Sequence, residues 1–376
     1  MATAEAVTAP GLDSQHGDSV VNSPASWPCG GSVPAEWVDF LHQAGASLDE
    51  FGVAEFGQAS VELSQSLVAD AMSDLSHFGL IEVSGLEAQK FLSSLFTGDV
   101  RQVCASQGQF TSWCDGKGRI QATFWLFMHG GAYYLLLPME RLQPILARMK
   151  QFLLRTKATI KDASGLLVRI GLSGPGLESR LGQLMGAQPP SGRGETSAFG
   201  DCSIVALGGE PQSRWLLVGP PAAITSVWSE LLPGTLAVGR DVWSLLDILA
   251  GIPQVVAATA EEFIPQMLDL EALGGLSFTK GCYPGQEVIA RLHYRGQLKR
   301  RVYLAYTEGG SLPVPGTKLY GDATSESVGM VAAAARHPSG KIAVLAVVVI
   351  EQKAAGDVRL ADRQGPVLDF TESAHS

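Results

Sequence analysis

The sequence predicts an α+β protein of several domains, one of them ferredoxin-like and one a small all-β unit. Three observations carry that reading. Between residues 166 and 240 strand and helix patterns follow one another as β-α-β-β-α-β, the split βαβ order. Beyond residue 300 the pattern changes to short strands broken by Gly and Pro turns, which suits a β-barrel or sandwich. The chain has 376 residues, 46% of them apolar and 17% charged. That is enough for two to three domains and too apolar for a disordered chain.

The elements follow in order. Residues 1–32 are rich in Ala, Ser, Gly and Pro and read as a flexible leader, with short helices over 35–56. Order is expected to begin near residue 75, with a strand over 77–83. Ser84 with Glu87 three residues on reads as a capping box ahead of the apolar positions Phe91, Leu92, Leu95 and Phe96. Strands over 108–114 and 119–128 flank the turn Asp115-Gly116-Lys117-Gly118, and a third covers 132–137. A helix over 140–155 tolerates Pro144 only in its first turn. In the middle unit, strands over 166–172, 202–207, 214–218 and 235–243 alternate with helices over 175–186 and 222–232. The last unit has strands over 302–306, 318–320, 329–334 and 342–350.

Composition excludes several functions. The longest apolar run, 342–350, is nine residues, about half of what a membrane span needs. No basic and apolar leader marks a secretory signal, so a cytoplasmic protein is expected. Cys29, Cys104, Cys114, Cys202 and Cys282 are odd in number and widely spaced, without zinc spacing, so neither a disulfide framework nor a metal site is expected. Cys104 and Cys114 read as core or edge residues of adjacent strands. Net charge is −10, yet residues 1–89 hold 13 acidic and no basic residues, leaving +3 for the remainder. Direct nucleic-acid binding is not expected of such a chain.

The chemistry concentrates in one stretch, Leu273-Gly274-Gly275-Leu276-Ser277-Phe278-Thr279-Lys280-Gly281-Cys282-Tyr283-Pro284-Gly285-Gln286-Glu287, running on to Ala290-Arg291. Glycines flank a single cysteine, and residues 280–301 hold six basic residues against one acidic residue, Glu287. Fixed positive charge stabilises a thiolate, and the same cations would suit a ligand carboxylate. A structural Gly-rich loop with an inert cysteine is the plain alternative.

The run Lys280-Gly281-Cys282-Tyr283-x-Gly285-Gln286-Glu287-x-x-Ala290-Arg291 resembles the signature of the YgfZ family, folate-binding relatives of the T-protein (aminomethyltransferase) of the glycine cleavage system. Residues 263–266, 250–253, 79–100 and Asp115-Gly116-Lys117-Gly118-Arg119 resemble further family elements, over roughly residues 75–376 in all. The resemblance implies a T-protein-like ring of three domains around a central cavity. It divides the chain into an acidic, partly flexible extension over 1–70, a discontinuous first domain over 71–165 plus 244–298, a ferredoxin-like domain over 166–243 and a C-terminal β-barrel over 299–376. It also implies tetrahydrofolate or a derivative as ligand, and iron–sulfur client or assembly proteins, tRNA-modifying enzymes among them, as partners. The family's folate-contacting aromatics fall on Trp243 and on Phe78, where relatives carry Trp. Lys280, Tyr283, Gln286, Glu287, Arg291, Lys117 and Asp269 complete the implied binding set, with Cys282 as the functional thiol. Asp269 replaces a common Asn and either makes the site more negative or pairs with a nearby cation; Asp247 reads as a surface carboxylate, and His293 as a solvent-facing histidine.

The T-protein carries carboxylates on the strand after its Gly-Gly turn. The corresponding residues here, 118–124, contain none, which argues against aminomethyl transfer but not against folate binding. Three functions stay open on the sequence: a folate-binding factor for assembly or repair of iron–sulfur proteins, a folate-dependent C1 transferase, and a scaffold sharing a cluster through Cys282. One cysteine falls short of the usual four cluster thiolates. The sequence does not choose among reversible oxidation, a mixed disulfide and transient cluster contact for that thiol.

Overall fold

Alternation along the strand Phe78–Ser84 sets the architecture of the N-terminal half. Phe78 and Leu80 enter one apolar cluster, while Ile81 and Val83 enter another on the opposite face. This strand lies in an antiparallel five-stranded sheet ordered Thr159–Asp162, Phe78–Ser84, Ala132–Pro138, Ile120–His129, Gln109–Cys114. The helix Met139–Leu153 covers one face through Leu142, Ile145, Leu146 and Met149, the spacing of a single helical stripe. In the computed structural model, residues 25–26, 32–208, 212–322 and 326–371 are described.

The second sheet has six strands in the order Thr196–Phe199, Cys202–Gly208, Arg214–Gly219, Val168–Ser173, Ala71–Asp74, Leu236–Val238. The four strands of the split βαβ pattern keep the ferredoxin-like order, but Ala71–Asp74 is inserted between the first and the last of them. It runs antiparallel to Val168–Ser173 and parallel to Leu236–Val238. The third sheet, ordered Val358–Leu360, Lys318–Gly321, Ser327–Arg336, Ile342–Val349, Arg300–Thr307, Asp369–Phe370, is antiparallel and curls into a half-barrel. All three units contribute to one apolar cluster, from Leu80 and Trp125 through Val218 and Trp243 to Leu345. Among the described residues no helix is long and apolar enough to cross a membrane.

Several expectations need correction. Order does not wait until residue 75. The helix Ala35–Gln43 buries Trp37 and Leu41 against Trp228, and the Trp37 indole donates to the buried Asp74 carboxylate at 2.8 Å. A hairpin, Ser47–Asp49 with Gly52–Glu55, and the helix Ala59–Gln65 follow. Most of the leader, Cys29 included, lies outside the described residues. Ser84 ends its strand instead of capping a helix, and the Glu87 carboxylate accepts the Lys157 backbone N–H instead of closing a capping box. Pro144 sits in the second turn of its helix, where it forgoes one backbone hydrogen bond while the remaining turns are held by packing. The strand expected over 235–243 stops at Val238, and the helix Arg240–Leu249 takes over.

Candidate functional site

The signature loop and the Asp115–Gly118 turn are pressed together. Gly285, at φ +79°, opens the helix Gln286–Arg295, and a Cβ there would stand 2.5 Å from the backbone of Gly118. Only glycine permits both that conformation and that approach. The Asp115 carboxylate holds its own turn by accepting the N–H groups of Lys117 and Arg119. The side chain of Arg119 donates to the Glu262 carbonyl at 2.7 Å, and Ile120 N–H to that of Phe263 at 2.8 Å, which fixes the 261–263 segment beside the strand.

Three of the six cations near Cys282 in the sequence are engaged within the chain. Lys280 is buried, and its ammonium donates to the carbonyls of Ser93 (2.7 Å) and Phe96 and lies over the Tyr283 ring at 4.8 Å. Burial lowers its pKa to about 8. Arg291 pairs with Glu287 at 2.6 Å on an exposed helix face, four residues apart. Asp269, in the left-handed region at φ 58°, pairs with Arg301 at 2.6 Å, the second of its two expected roles. Tyr283 is buried with a hydroxyl that finds no partner, and burial pushes its pKa up. Gln286 is the first residue of its helix, and Lys117 is exposed on its turn. His293 stacks on Phe278, with ring centroids 3.8 Å apart, and lies 3.7 Å from the Glu271 carboxylate. Cys282 itself is exposed. The arrangement offers an exposed thiol whose neighbour Lys280 is held on backbone carbonyls.

The two expected aromatics lie elsewhere. Phe78 lines a cleft of about 320 Å³ together with Phe51, His77, Pro138, Met139, Glu140, Ser244, Gln254 and Val256. Phe51 comes from the hairpin of the segment expected to be an extension; Arg240 ties that hairpin down with two bonds of 2.6 Å to Asp49. Trp243 precedes the cleft residue Ser244 but is itself core, 2% exposed. Its ring lies on Gly171, where a Cβ would come within 2.4 Å, and beneath the Arg214 guanidinium at 5.5 Å. Arg214 donates to Asp247 at 2.7 Å with both side chains buried. Asp247 is therefore no surface carboxylate, and loss of solvent raises its pKa. Asp247 in turn accepts from the Gln254 amide at 3.4 Å.

The site residues thus fall into two groups that share one apolar cluster containing Phe78, Trp243 and Tyr283. His77, Gln254 and Phe51 were missed. His77 and Gln254 stand beside recognisable elements but carry no pattern of their own, and Phe51 lies in a segment without clear periodicity. Cys104 is exposed in a turn closed by Gln107, not on a strand, whereas Cys114 is buried and its pKa is pushed up to about 12. Gln121, on the strand without carboxylates, bonds Glu261 (2.8 Å) and Arg148 (2.8 Å), so a carboxylate does reach this strand from a distant segment. Among the described residues no three His, Cys, Asp or Glu side chains converge as a metal site.

Comparison with known proteins sets this geometry in context. Residues 53–206 match the family model described as the GCVT N-terminal domain, which begins well before residue 75. The tRNA-modifying protein YgfZ of Colwellia psychrerythraea is 36% identical over 230 residues, 61% of this chain and 69% of that protein. The protein of the same name from Photobacterium profundum is 30% identical over 332 residues, 84% of this chain and 94% of its own length. That from Shigella boydii is 30% identical over 245 residues, 65% and 74% of the two chains. The crystal structure of glycine cleavage system aminomethyltransferase T from Bartonella henselae superposes with a TM-score of 0.71 at 16% identity, over 90% of this chain and 96% of that one. That likeness is one of fold.

Proposed function

The chain belongs to the YgfZ family, and from that premise we propose that it is a folate-binding accessory protein. In this reading it supports the assembly or repair of iron–sulfur proteins, among them enzymes that modify tRNA. The observation that carries the folate half is the cleft beside Phe78: apolar and aromatic walls together with buried polar atoms that lack partners, His77 Nδ1 and Nε2 and Gln254 Oε1. A flat ring system needs such walls and such edge contacts. Phe78 and Phe51 would face the ligand, and Trp243 would support the cleft from the core. Bound folate would supply a one-carbon carrier; the chain's own residues would bind and orient it. Cys282, exposed and apart from these walls, is free to meet a client protein.

The test is an anaerobic calorimetric titration with tetrahydrofolate of the wild type, Phe78→Leu and Cys282→Ala. Saturable binding weakened in Phe78→Leu and intact in Cys282→Ala is the expected result. Absence of wild-type binding at millimolar ligand overturns the folate assignment. The client half is tested by restoring tRNA thiolation in a bacterial strain that lacks its own family member. Rescue by Cys282→Ala equal to the wild type would remove the thiol from the function.

A further inference from the structure

The unpartnered polar atoms of the cleft form a pattern. Both ring nitrogens of His77 are out of solvent and without a hydrogen-bond partner. Burial, helped by the charges of Arg240 and Arg169, lowers the His77 pKa to about 3, so the ring is neutral at physiological pH. A neutral imidazole offers one N–H donor and one bare nitrogen acceptor. Gln254 Oε1 is likewise buried and unpartnered. Its orientation is dictated from behind: the Asp247 carboxylate, which also takes the Arg214 guanidinium at 2.7 Å, requires a donor and so draws Gln254 Nε2 to itself at 3.4 Å. The carbonyl end of the amide is what remains for the cleft.

The ionisable lining is equally specific. Neither lysine nor arginine lines the cleft, and its carboxylate, Glu140, accepts the Ala257 N–H at 2.7 Å. An anionic group would meet Glu140 there, and Arg240, whose guanidinium lies over the Phe51 ring at 5.6 Å, is already paired with Asp49. A buried donor or acceptor left unpaired costs about 1–3 kcal/mol, so three in one aromatic-walled cleft call for a ligand that brings their complements.

We propose that His77 and Gln254 are the specificity-determining residues of this cleft, and that they read the edge of an uncharged heteroaromatic ring carrying a cyclic amide flanked by an amine. The bare nitrogen of the His77 ring takes the amide N–H, and Gln254 Oε1 accepts from the flanking amine. Phe51 and Phe78 supply the apolar walls. The choice of ligand rests on the folate reading: the pterin head has such an edge, and the glutamyl tail is left outside.

The experiment uses the full chain and four probes: tetrahydrofolate, 6-methyltetrahydropterin, p-aminobenzoylglutamate and guanosine, whose base carries the same amide-and-amine edge. Each is titrated against the wild type, His77→Leu, His77→Asn and Gln254→Leu. Tetrahydrofolate and the pterin fragment should bind the wild type, and the tail fragment should not. His77→Leu and Gln254→Leu should each weaken ring binding about tenfold or more, the worth of one buried hydrogen bond, while His77→Asn recovers most of it. A melting temperature for His77→Leu at or above that of the wild type shows that lost binding is not lost folding. Undiminished binding of tetrahydrofolate by both Leu variants, or displacement of it by the tail fragment, overturns this proposal and leaves the folate reading standing. Guanosine binding that depends on His77, with no binding of tetrahydrofolate, sinks the folate reading and keeps the edge assignment. Failure of the wild type to bind any of the three ring compounds overturns both.

Discussion

Replacing Asp247 with Ala should destabilise the protein far more than a surface carboxylate would. Arg214 is 1% exposed, its one hydrogen bond among the described residues goes to Asp247, and its Nε and Nη2 have no partner. The Trp243 ring beneath the guanidinium, at 5.5 Å, offsets only part of the loss. Stranding a buried charge in this way costs about 3–5 kcal/mol. Arg214→Met should cost a comparable amount, because it leaves the carboxylate with the long Gln254 contact alone. The double variant, Arg214→Met with Asp247→Leu, removes both charges and should recover most of the loss, to within about 1–2 kcal/mol of the wild type, since no ion remains to be desolvated. The assay is urea unfolding, followed by tryptophan fluorescence and circular dichroism together so that separate unfolding of the three units is detected. Single variants within about 1 kcal/mol of the wild type would refute the reasoning, as would a double variant whose loss equals the sum of the two.

Three further outcomes follow from the same geometry. The unfolded chain takes up a proton at His77 near pH 6.5 and the folded chain refuses it until about pH 3. Stability from this group is therefore full above pH 6.5 and falls as the pH drops below it, by about 1.4 kcal/mol per unit; the difference in unfolding free energy between wild type and His77→Leu, measured from pH 7 to 5, should show that slope. Lys280→Met should cost about 1–3 kcal/mol by leaving the Ser93 and Phe96 carbonyls without their donor. Alkylation of Cys282 by iodoacetamide should meanwhile hold within about twofold, and a tenfold drop would mean that the ammonium does act on the thiol. Gly285→Ala should cost at least about 1–2 kcal/mol, because φ is +79° and the new Cβ would meet Gly118 at 2.5 Å; a variant as stable as the wild type in urea would show that this junction yields.

What was legible in the sequence was local. The strands Phe78–Ser84, Gln109–Cys114, Ile120–His129 and Ala132–Pro138 stand within a residue or two of their expected places, because alternation and the intervening turns are short-range signals. The middle unit followed in part: its last strand stops at Val238, and the strand Thr196–Phe199 was not read. Nor was the insertion of Ala71–Asp74 into its sheet, since pairing across about a hundred residues leaves no periodic trace. Of the short helices expected over 35–56, the helix Ala35–Gln43 is present, but the hairpin that follows it and the packing of both into the core were not read. Trp37 and Leu41, both wholly buried, anchor that helix in a cluster with Trp228. Phe51 was lost from the cleft with the hairpin.

The cations near Cys282 mark the deeper difficulty, which is that nearness in sequence does not fix where a charge is spent. Lys280 turns inward to backbone carbonyls, Arg291 reaches one helical turn back to Glu287, and Arg301 crosses to Asp269. Each of these three is spent on a partner within the chain. Among the polar atoms that the fold leaves unsatisfied, those of His77 and Gln254 belong to uncharged side chains that line the cleft. On the proposed reading, recognition there comes from hydrogen-bond pattern and ring stacking, which favours a neutral ring over an anion. Lys280, two residues before the exposed thiol, is held on backbone carbonyls. On the proposed reading the binding cleft shares no lining residue with Cys282, so a variant that abolishes binding should leave thiol chemistry measurable, and the reverse.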